Sequence, residues 1–185
     1  MKFVGDFHIH SKYARATSPD MDLEHLDKWA KIKGIKVISA GDFTHPAWFG
    51  ELKEKLEPVE PGLYKLRGVV SETRFILTTE ISCIYSKGGQ VRKVHLLIFA
   101  PSLEAVGKIN TQLGWRGNLK ADGRPIIGID SKEVVKIALS ASSDCMVIPA
   151  HAWTPWFSVF GSKSGFNSLE ECFDEYTKYI YAIET

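Results

Sequence analysis

Residues 2–10, KFVGDFHIH, alternate in polarity with a period of two, which predicts a strand. Phe3, Gly5, Phe7 and Ile9 take one face; Val4, Asp6, His8 and His10 take the other. The period then changes. In PDMDLEHLDKWAKIKG, Leu23, Leu26, Trp29, Ala30 and Ile32 fall at helical spacing, with Asp20 or Asp22 as the N-cap and Gly34 as the stop. Asp22, Glu24, Asp27, Lys28, Lys31 and Lys33 read as that helix's solvated face, and His25 as a solvated or packing residue. IKVISAGD is a short strand ending in Asp42, so the chain opens with a strand–helix–strand unit, the mark of a parallel sheet.

Further along, AWFGELKEKLEP predicts a short helix and PVEPG a loop. RFILTTEISCIYS and QVRKVHLLIFA flank KGG and read as a hairpin or two adjacent strands. SLEAVGKINTQLG is helical, WRGNLKADGRP a polar Gly-rich loop, and DSKEVVKIALSASS a helix capped by Asp130 or Ser131. DCMVIPAH is a strand ending in His151, WTPWFSVFGSKSGFN a long aromatic loop, SLEECFDEY a helix and KYIYAIET a strand. The alternation predicts an α/β fold, either a (β/α) barrel or an open sheet. In both, chemistry collects at the carboxyl ends of strands. His10, Asp42, His151 and Glu184 all fall at or near such ends.

Composition adds limits. The 185 residues fit one domain with a real core. Lys plus Arg number 23 against 22 Asp plus Glu, which argues against nucleic-acid binding through bulk charge but leaves room for a local basic groove. Cys83, Cys145 and Cys172 are scattered and form no CxxC pair, so neither a disulfide framework nor a zinc ribbon is expected. A reducing, cytoplasmic compartment follows. The opening MKFVGDF shows no signal-peptide pattern, and no apolar run reaches the ~20 residues of a membrane helix, so no membrane partner is expected.

The candidate chemistry lies in His8 and His10. Two apart on a strand, their imidazoles can converge on one metal ion; the competing reading is two structural histidines bonded to backbone. Asp6 on the same face could fix a tautomer. Glu80 sits inside an apolar strand, where a carboxylate must reach solvent, pair with a cation or bind a metal. His95, in VHLLIF, and His151, after VIPA, pose the same question less sharply. Asp42 and His45, in AGDFTHP, could be ligands, or Asp42 could simply be a turn residue. Mixed His and carboxylate donors without thiolate suit zinc, manganese or iron. More than four such donors suggest several metals with a bridging carboxylate, a type of site that cleaves phosphate esters.

These residues carry a resemblance. GDFHIHSKYARATS, WAKIKGIKVISAGDFTHPAWF, EPGLYKL, TTEIS, KVHLLIFAPS and IPAHAWTPWFS look like the endonuclease Q family of the PHP (polymerase and histidinol phosphatase) superfamily, over nearly the whole chain. The resemblance implies a distorted (β/α)7 TIM-like barrel with a metal centre of up to three divalent ions: zinc, manganese or magnesium. It implies a DNA-repair endonuclease that cuts 5′ of deaminated bases (uracil, hypoxanthine, xanthine) or abasic sites. A PHP phosphoesterase acting on a small phosphorylated metabolite, or an inactive fragment, are the alternatives. His8 and His10 match the ligands of the first metal, Glu80 the bridging carboxylate, and His95 and His151 the ligands of the second. Asp42 takes the Asp of a TDH motif whose His is here Phe43, leaving His45 as a third-metal candidate and Glu184 as an acidic strand-end ligand. Glu80, His151 and Asp42 would be catalytic.

Arg15 stands where many PHP proteins have an acidic ligand. Lys12, Arg15, Arg92 and Lys93 are candidate phosphate contacts. Trp153, Trp156, Phe157 and Phe160 could stack on an extruded base or simply pack the barrel top. Damaged DNA is the expected partner; whether a sliding-clamp-type repair partner exists is open. The expected Asp-x-His motif, the cysteine-rich zinc segment and the helical C-terminal region do not occur in residues 1–185. The chain is therefore expected to be the N-terminal part of a PHP domain in a longer protein, with an incomplete metal centre and an open barrel.

Overall fold

The computed structural model describes residues 2–185. Among them are eight strands and five α-helices in a mixed α/β arrangement: β1 (Val4–Asp6), α1 (Leu23–Lys33), β2 (Ile35–Ser39), α2 (Pro46–Lys55), β3 (Leu56–Glu60), β4 (Leu63–Leu66), β5 (Arg74–Lys87), β6 (Gln90–Ala100), α3 (Leu103–Gly114), β7 (Ile126–Ile127), α4 (Ser131–Ala141), β8 (Met146–Pro149) and α5 (Leu169–Phe173), followed by a 3-10 turn over Asp174–Tyr179. The sheet branches at β5. Its first residues pair with β2 in parallel and with β4 antiparallel. From Leu77 onward it runs against β6, and at Ser82 it takes β7 in parallel. β1 extends the sheet beyond β2, and β8 extends it beyond β6.

β5 and β6 are buried on both faces, so their sequences read as continuous apolar runs. Phe75, Leu77, Ile81, Leu96 and Ile98 join the main core with Val106, Ile109, Val134 and Ala138 of α3 and α4. Ile76, Leu97 and Phe99 turn to the opposite face and form a second, smaller cluster with Ile148 of β8. Glu80 and His95 are buried within this strand pair.

The helix caps follow the sequence. Asp22 accepts from the His25 N–H, Gly34 closes α1 at φ 71°, and Ser102 and Asp130 cap α3 and α4. Four expectations are corrected. The buried stripe of α1 is Leu23, Leu26, Asp27 and Ala30, an i, i+3, i+4, i+7 face. Trp29 and Ile32 point to solvent, and Asp27, expected on the solvated face, is buried against Lys31 and Ser71. PVEPG is not a loop: residues 56–60 and 63–66 form a hairpin, whose edge strand tolerates Pro58. KYIYAIET is not a strand: Tyr179, Ile180 and Ile183 pack onto the core, Tyr181 points to solvent, and Glu184 makes the backbone bonds to the neighbouring segment. No helix among the described residues is long and apolar enough to cross a membrane.

Candidate metal centre

β1 ends at Asp6, so His8 and His10 lie just beyond the strand predicted to hold them, and their rings meet Glu80 in the middle of β5. Glu80 of β5 is 2% exposed and is ringed by nitrogen. Its Oε2 lies 3.5 Å from His8 Nε2 and 3.1 Å from His10 Nε2. Its Oε1 lies 2.8 Å from His95 Nδ1 and 3.3 Å from His151 Nε2. One oxygen thus faces each histidine pair. Two three-donor groups result, His8–His10–Glu80 and Glu80–His95–His151, each with its donor atoms within 4.8 Å of one another. Imidazole and carboxylate donors without thiolate fit zinc, manganese or iron, and the shared carboxylate fits a pair of ions. No third such group occurs among the described residues.

The outer nitrogens of three histidines are anchored. His10 Nδ1 donates to Asp42 Oδ1 at 2.8 Å, while Asp42 Oδ2 accepts from the Ser11 N–H and hydroxyl at 2.6 and 2.8 Å. His8 Nδ1 donates to Glu184 Oε1 at 2.9 Å, and Glu184 Oε2 accepts the His151 N–H at 2.8 Å. His151 Nδ1 meets the Thr154 hydroxyl at 3.1 Å. Such outer partners fix tautomer and ring orientation, leaving Nε2 of His8, His10 and His151 aimed inward. Asp42 and Glu184 belong to neither three-donor group and bond instead to the outer nitrogens of His10 and His8. Positive φ at Asp42, His151 and Phe157 places sterically disfavoured backbone at the same spot.

The electrostatics match a site that expects cations. Burial alone would raise the Glu80 pKa, but hydrogen bonds from His10, His151, His8 and His95 outweigh it and hold the carboxyl far below its usual range. Burial works against a charged His10, yet its bonds to Asp42 and Glu80 push its pKa up to about 9. His8 is raised in the same way, burial being outweighed by Glu80 and Glu184. At His95 burial wins and the pKa falls below normal despite Glu80. Both members of the first histidine pair are thus shifted toward the protonated form.

The other predicted residues scatter. His45 belongs to neither three-donor group: it caps α2, its ring stacks on Tyr13 at 4.3 Å, and its buried Nδ1 has no hydrogen-bond partner among the described residues. Lys12 pairs with Glu51 at 2.9 Å. Arg92 is committed to the Gly165 carbonyl and the Phe166 ring, which leaves it little freedom to contact phosphate. Lys93 lies over Trp156 and Phe157, and Phe157 packs on His95 at 4.7 Å. Trp153, stacked on Phe160, and Trp156 remain 63% and 51% exposed beside His151. Arg15 pairs with Asp122 at 3.3 Å, and Asp6 forms part of the wall of a cavity between β1 and β8. Sequence reasoning missed Ser11, Thr154 and above all Arg124, whose Nη1 lies 3.3 Å from Glu80 Oε2. A lone arginine in a Gly-rich loop carries no periodic signal; the β7–β5 pairing beside it is what brings it to the site.

No family model matches the chain. The uncharacterized protein MJ0043 of Methanocaldococcus jannaschii is 32% identical over 151 residues, 81% of this chain and 16% of that protein. A metal-dependent phosphoesterase structure from Bifidobacterium adolescentis shares the fold, with a TM-score of 0.61 at 14% identity over 98% of this chain and 77% of that one. In its fold, and in a His/Glu cluster that could hold metal ions, the chain resembles PHP-type metal-dependent phosphoesterases.

The chain is also similar to endonuclease Q. The lesion-specific endonuclease of Pyrococcus furiosus superposes with a TM-score of 0.77 at 28% identity, over 92% of this chain and 39% of that one. Endonuclease Q in complex with a 27-mer duplex bearing an abasic lesion at its active site gives 0.78 at 30% identity, over 92% and 40%. The chain thus spans about two fifths of the endonuclease Q structures and 16% of the curated relative.

Proposed function

We propose that residues 1–185 are a PHP-type metal-dependent phosphodiesterase domain, built on a distorted (β/α)7 barrel, that incises DNA 5′ of deaminated bases or abasic sites. The observation that carries this is the position of Glu80, one oxygen toward each histidine pair. His8, His10 and Glu80 would hold one divalent ion, and Glu80, His95 and His151 a second. Ions bound there would supply Lewis-acid polarisation of a phosphate and a lowered pKa for water.

The chain's own residues do the rest. Asp42 and Glu184 keep the Nδ1 protons of His10 and His8 on the outer side, so that Nε2 of each ring faces Glu80. The exposed rings of Trp153 and Trp156, which follow His151 in the chain, would give a base drawn out of the duplex a surface to stack on. The three cysteines are free and buried, in keeping with a reducing cytoplasm.

The test is incision of end-labelled duplexes carrying uracil, hypoxanthine, xanthine or an abasic site, with manganese, magnesium or zinc, beside an aryl phosphate control. Cleavage 5′ of the lesion is expected, with little turnover of the aryl phosphate. Turnover of the aryl phosphate alone would overturn the nuclease reading in favour of a small-molecule phosphoesterase.

A further inference from the structure

Beside the metal centre, on the β7 side, lies a cavity of about 290 Å³. Its wall includes Arg15, Arg124, Ser82, His95 and Phe157, with one acidic residue, Asp122. Two features mark it as built to receive an anion. Ser82 Oγ is buried and has no hydrogen-bond partner among the described residues, a costly state unless an acceptor arrives from outside. Two guanidinium groups line the same space, and each has one side-chain contact among the described residues: Arg15 with Asp122, Arg124 with Glu80, both at 3.3 Å. Most of their five N–H donors are therefore uncommitted.

The loop that presents Arg124 is fixed. The Arg124 N–H donates to Asp122 Oδ1 at 3.1 Å, the Gly123 N–H to Tyr13 O at 3.0 Å, and Pro125 O accepts the Ser82 N–H at 3.0 Å. Gly123 has no room for a side chain, because a Cβ there would collide with the Asp42 carboxylate. Arg124 now holds Glu80 Oε2, the oxygen that faces His8 and His10. A cation bound by that oxygen competes with the guanidinium and repels it, so a loaded centre leaves Arg124 needing a new anion. The cavity lies at the small end of ligand pockets, roughly 300–1,000 Å³, which suits one phosphate and its sugar rather than a whole base pair.

We propose that this cavity is a phosphodiester subsite, in which Arg124, Arg15 and Ser82 hold the phosphate next to the one being cleaved and so select a DNA strand over an isolated phosphate monoester. The proposal rests on the nuclease reading above. It is tested by equilibrium anisotropy on metal-loaded protein, using lesion duplexes that each carry one neutral methylphosphonate at a different position around the lesion. In the unsubstituted protein one neutral position should weaken binding roughly tenfold or more, the scale of a lost charge-assisted hydrogen bond. In R124Q that same position should cost nothing further, and the salt dependence should fall by roughly 0.7 to 0.9 in log–log slope. S82A should weaken binding without lowering the unfolding temperature, since it removes an unpartnered hydroxyl. R124Q and R15Q binding like the unsubstituted protein, or an undiminished methylphosphonate penalty in R124Q, would overturn the subsite alone. Loss of metal from R124Q, read by elemental analysis, would also overturn it by making Arg124 part of the cluster's framework. Failure of the unsubstituted protein to bind any lesion duplex would overturn the nuclease reading, and the subsite with it.

Discussion

Replacing Glu80 with Gln keeps the side chain's shape and removes its charge. The carboxylate lies within 3.5 Å of His8, His10, His95, His151 and Arg124. The Arg124 pair alone, at 3.3 Å, is worth about 5 kcal/mol at an effective dielectric constant of 20. The amide avoids the carboxylate's desolvation cost, which returns part of that loss. The remainder should be about 3 to 5 kcal/mol, the usual result of removing one side of a buried pair. For a chain of this size, the metal-free protein should then unfold roughly 6 to 20 °C lower. The metal-loaded protein gives a sharper readout. Both three-donor groups share Glu80, so E80Q takes a ligand from both, whereas H8A takes one only from the first and H95A only from the second. Elemental analysis after dialysis should find E80Q depleted at two sites and each histidine variant at one. An E80Q protein that keeps one site filled, or whose metal-free form melts with the unsubstituted protein, would refute the bridging position of Glu80.

Three further outcomes follow from the geometry. His10 titrates at about 9 in the fold against an ordinary 6.5, a difference of about 3 kcal/mol. Since the folded pKa is the higher one, this stabilisation is complete below pH 6.5 and lost as pH rises through about 9, so melting temperatures of the metal-free chain should decline across that window. D42N must present an amide N–H where Asp42 has only acceptors, facing His10 Nδ1 and two donors of Ser11; it should cost about 1 to 3 kcal/mol in thermal unfolding. D42N should also weaken metal at the His8–His10 group roughly 10- to 100-fold in competition titrations. W153A and W156A remove half-exposed rings and should leave the melting temperature nearly unchanged, while lesion-duplex binding by anisotropy weakens by about 1 to 3 kcal/mol each.

The parts of the site that were readable in the sequence are those governed by local rules. His8 and His10 were expected to share a direction because residues two apart in extended chain do so, and Glu80 stood out because a carboxylate in RFILTTEISCIY must reach solvent, pair with a cation or bind a metal. The α-helices were readable from their caps and period, apart from the face that α1 turns to the core. What was hidden depends on distant pairing. The β3–β4 hairpin carries Pro58 at an edge, a residue that locally argues for a loop. Asp42 and Glu184 look like ligands by type and position, and only the three-dimensional structure brings their oxygens against the outer nitrogens of His10 and His8. Arg124 reaches Glu80 from a loop 44 residues away in sequence, which no periodicity encodes.

The same distances bear on how the site forms. His8 is oriented by Glu184, 176 residues along the chain, and that carboxylate also accepts the His151 N–H. Glu184 is itself held in place by backbone bonds to Pro149 and Ala152 at the end of β8. The first histidine pair and the second are thus locked to one another through a single outer carboxylate as well as through Glu80 between them. The first three-donor group cannot reach its geometry while β1 and β8 are apart, since its outer anchor spans that gap, and the second is tied to it through Glu80 and Glu184. Metal affinity and folding should therefore be coupled, with the bound ions stabilising only the state in which both ends of the sheet are assembled. E184Q is the discriminating substitution: it leaves all five inner donors in place, so a loss of metal from both groups would arise from the broken link between them.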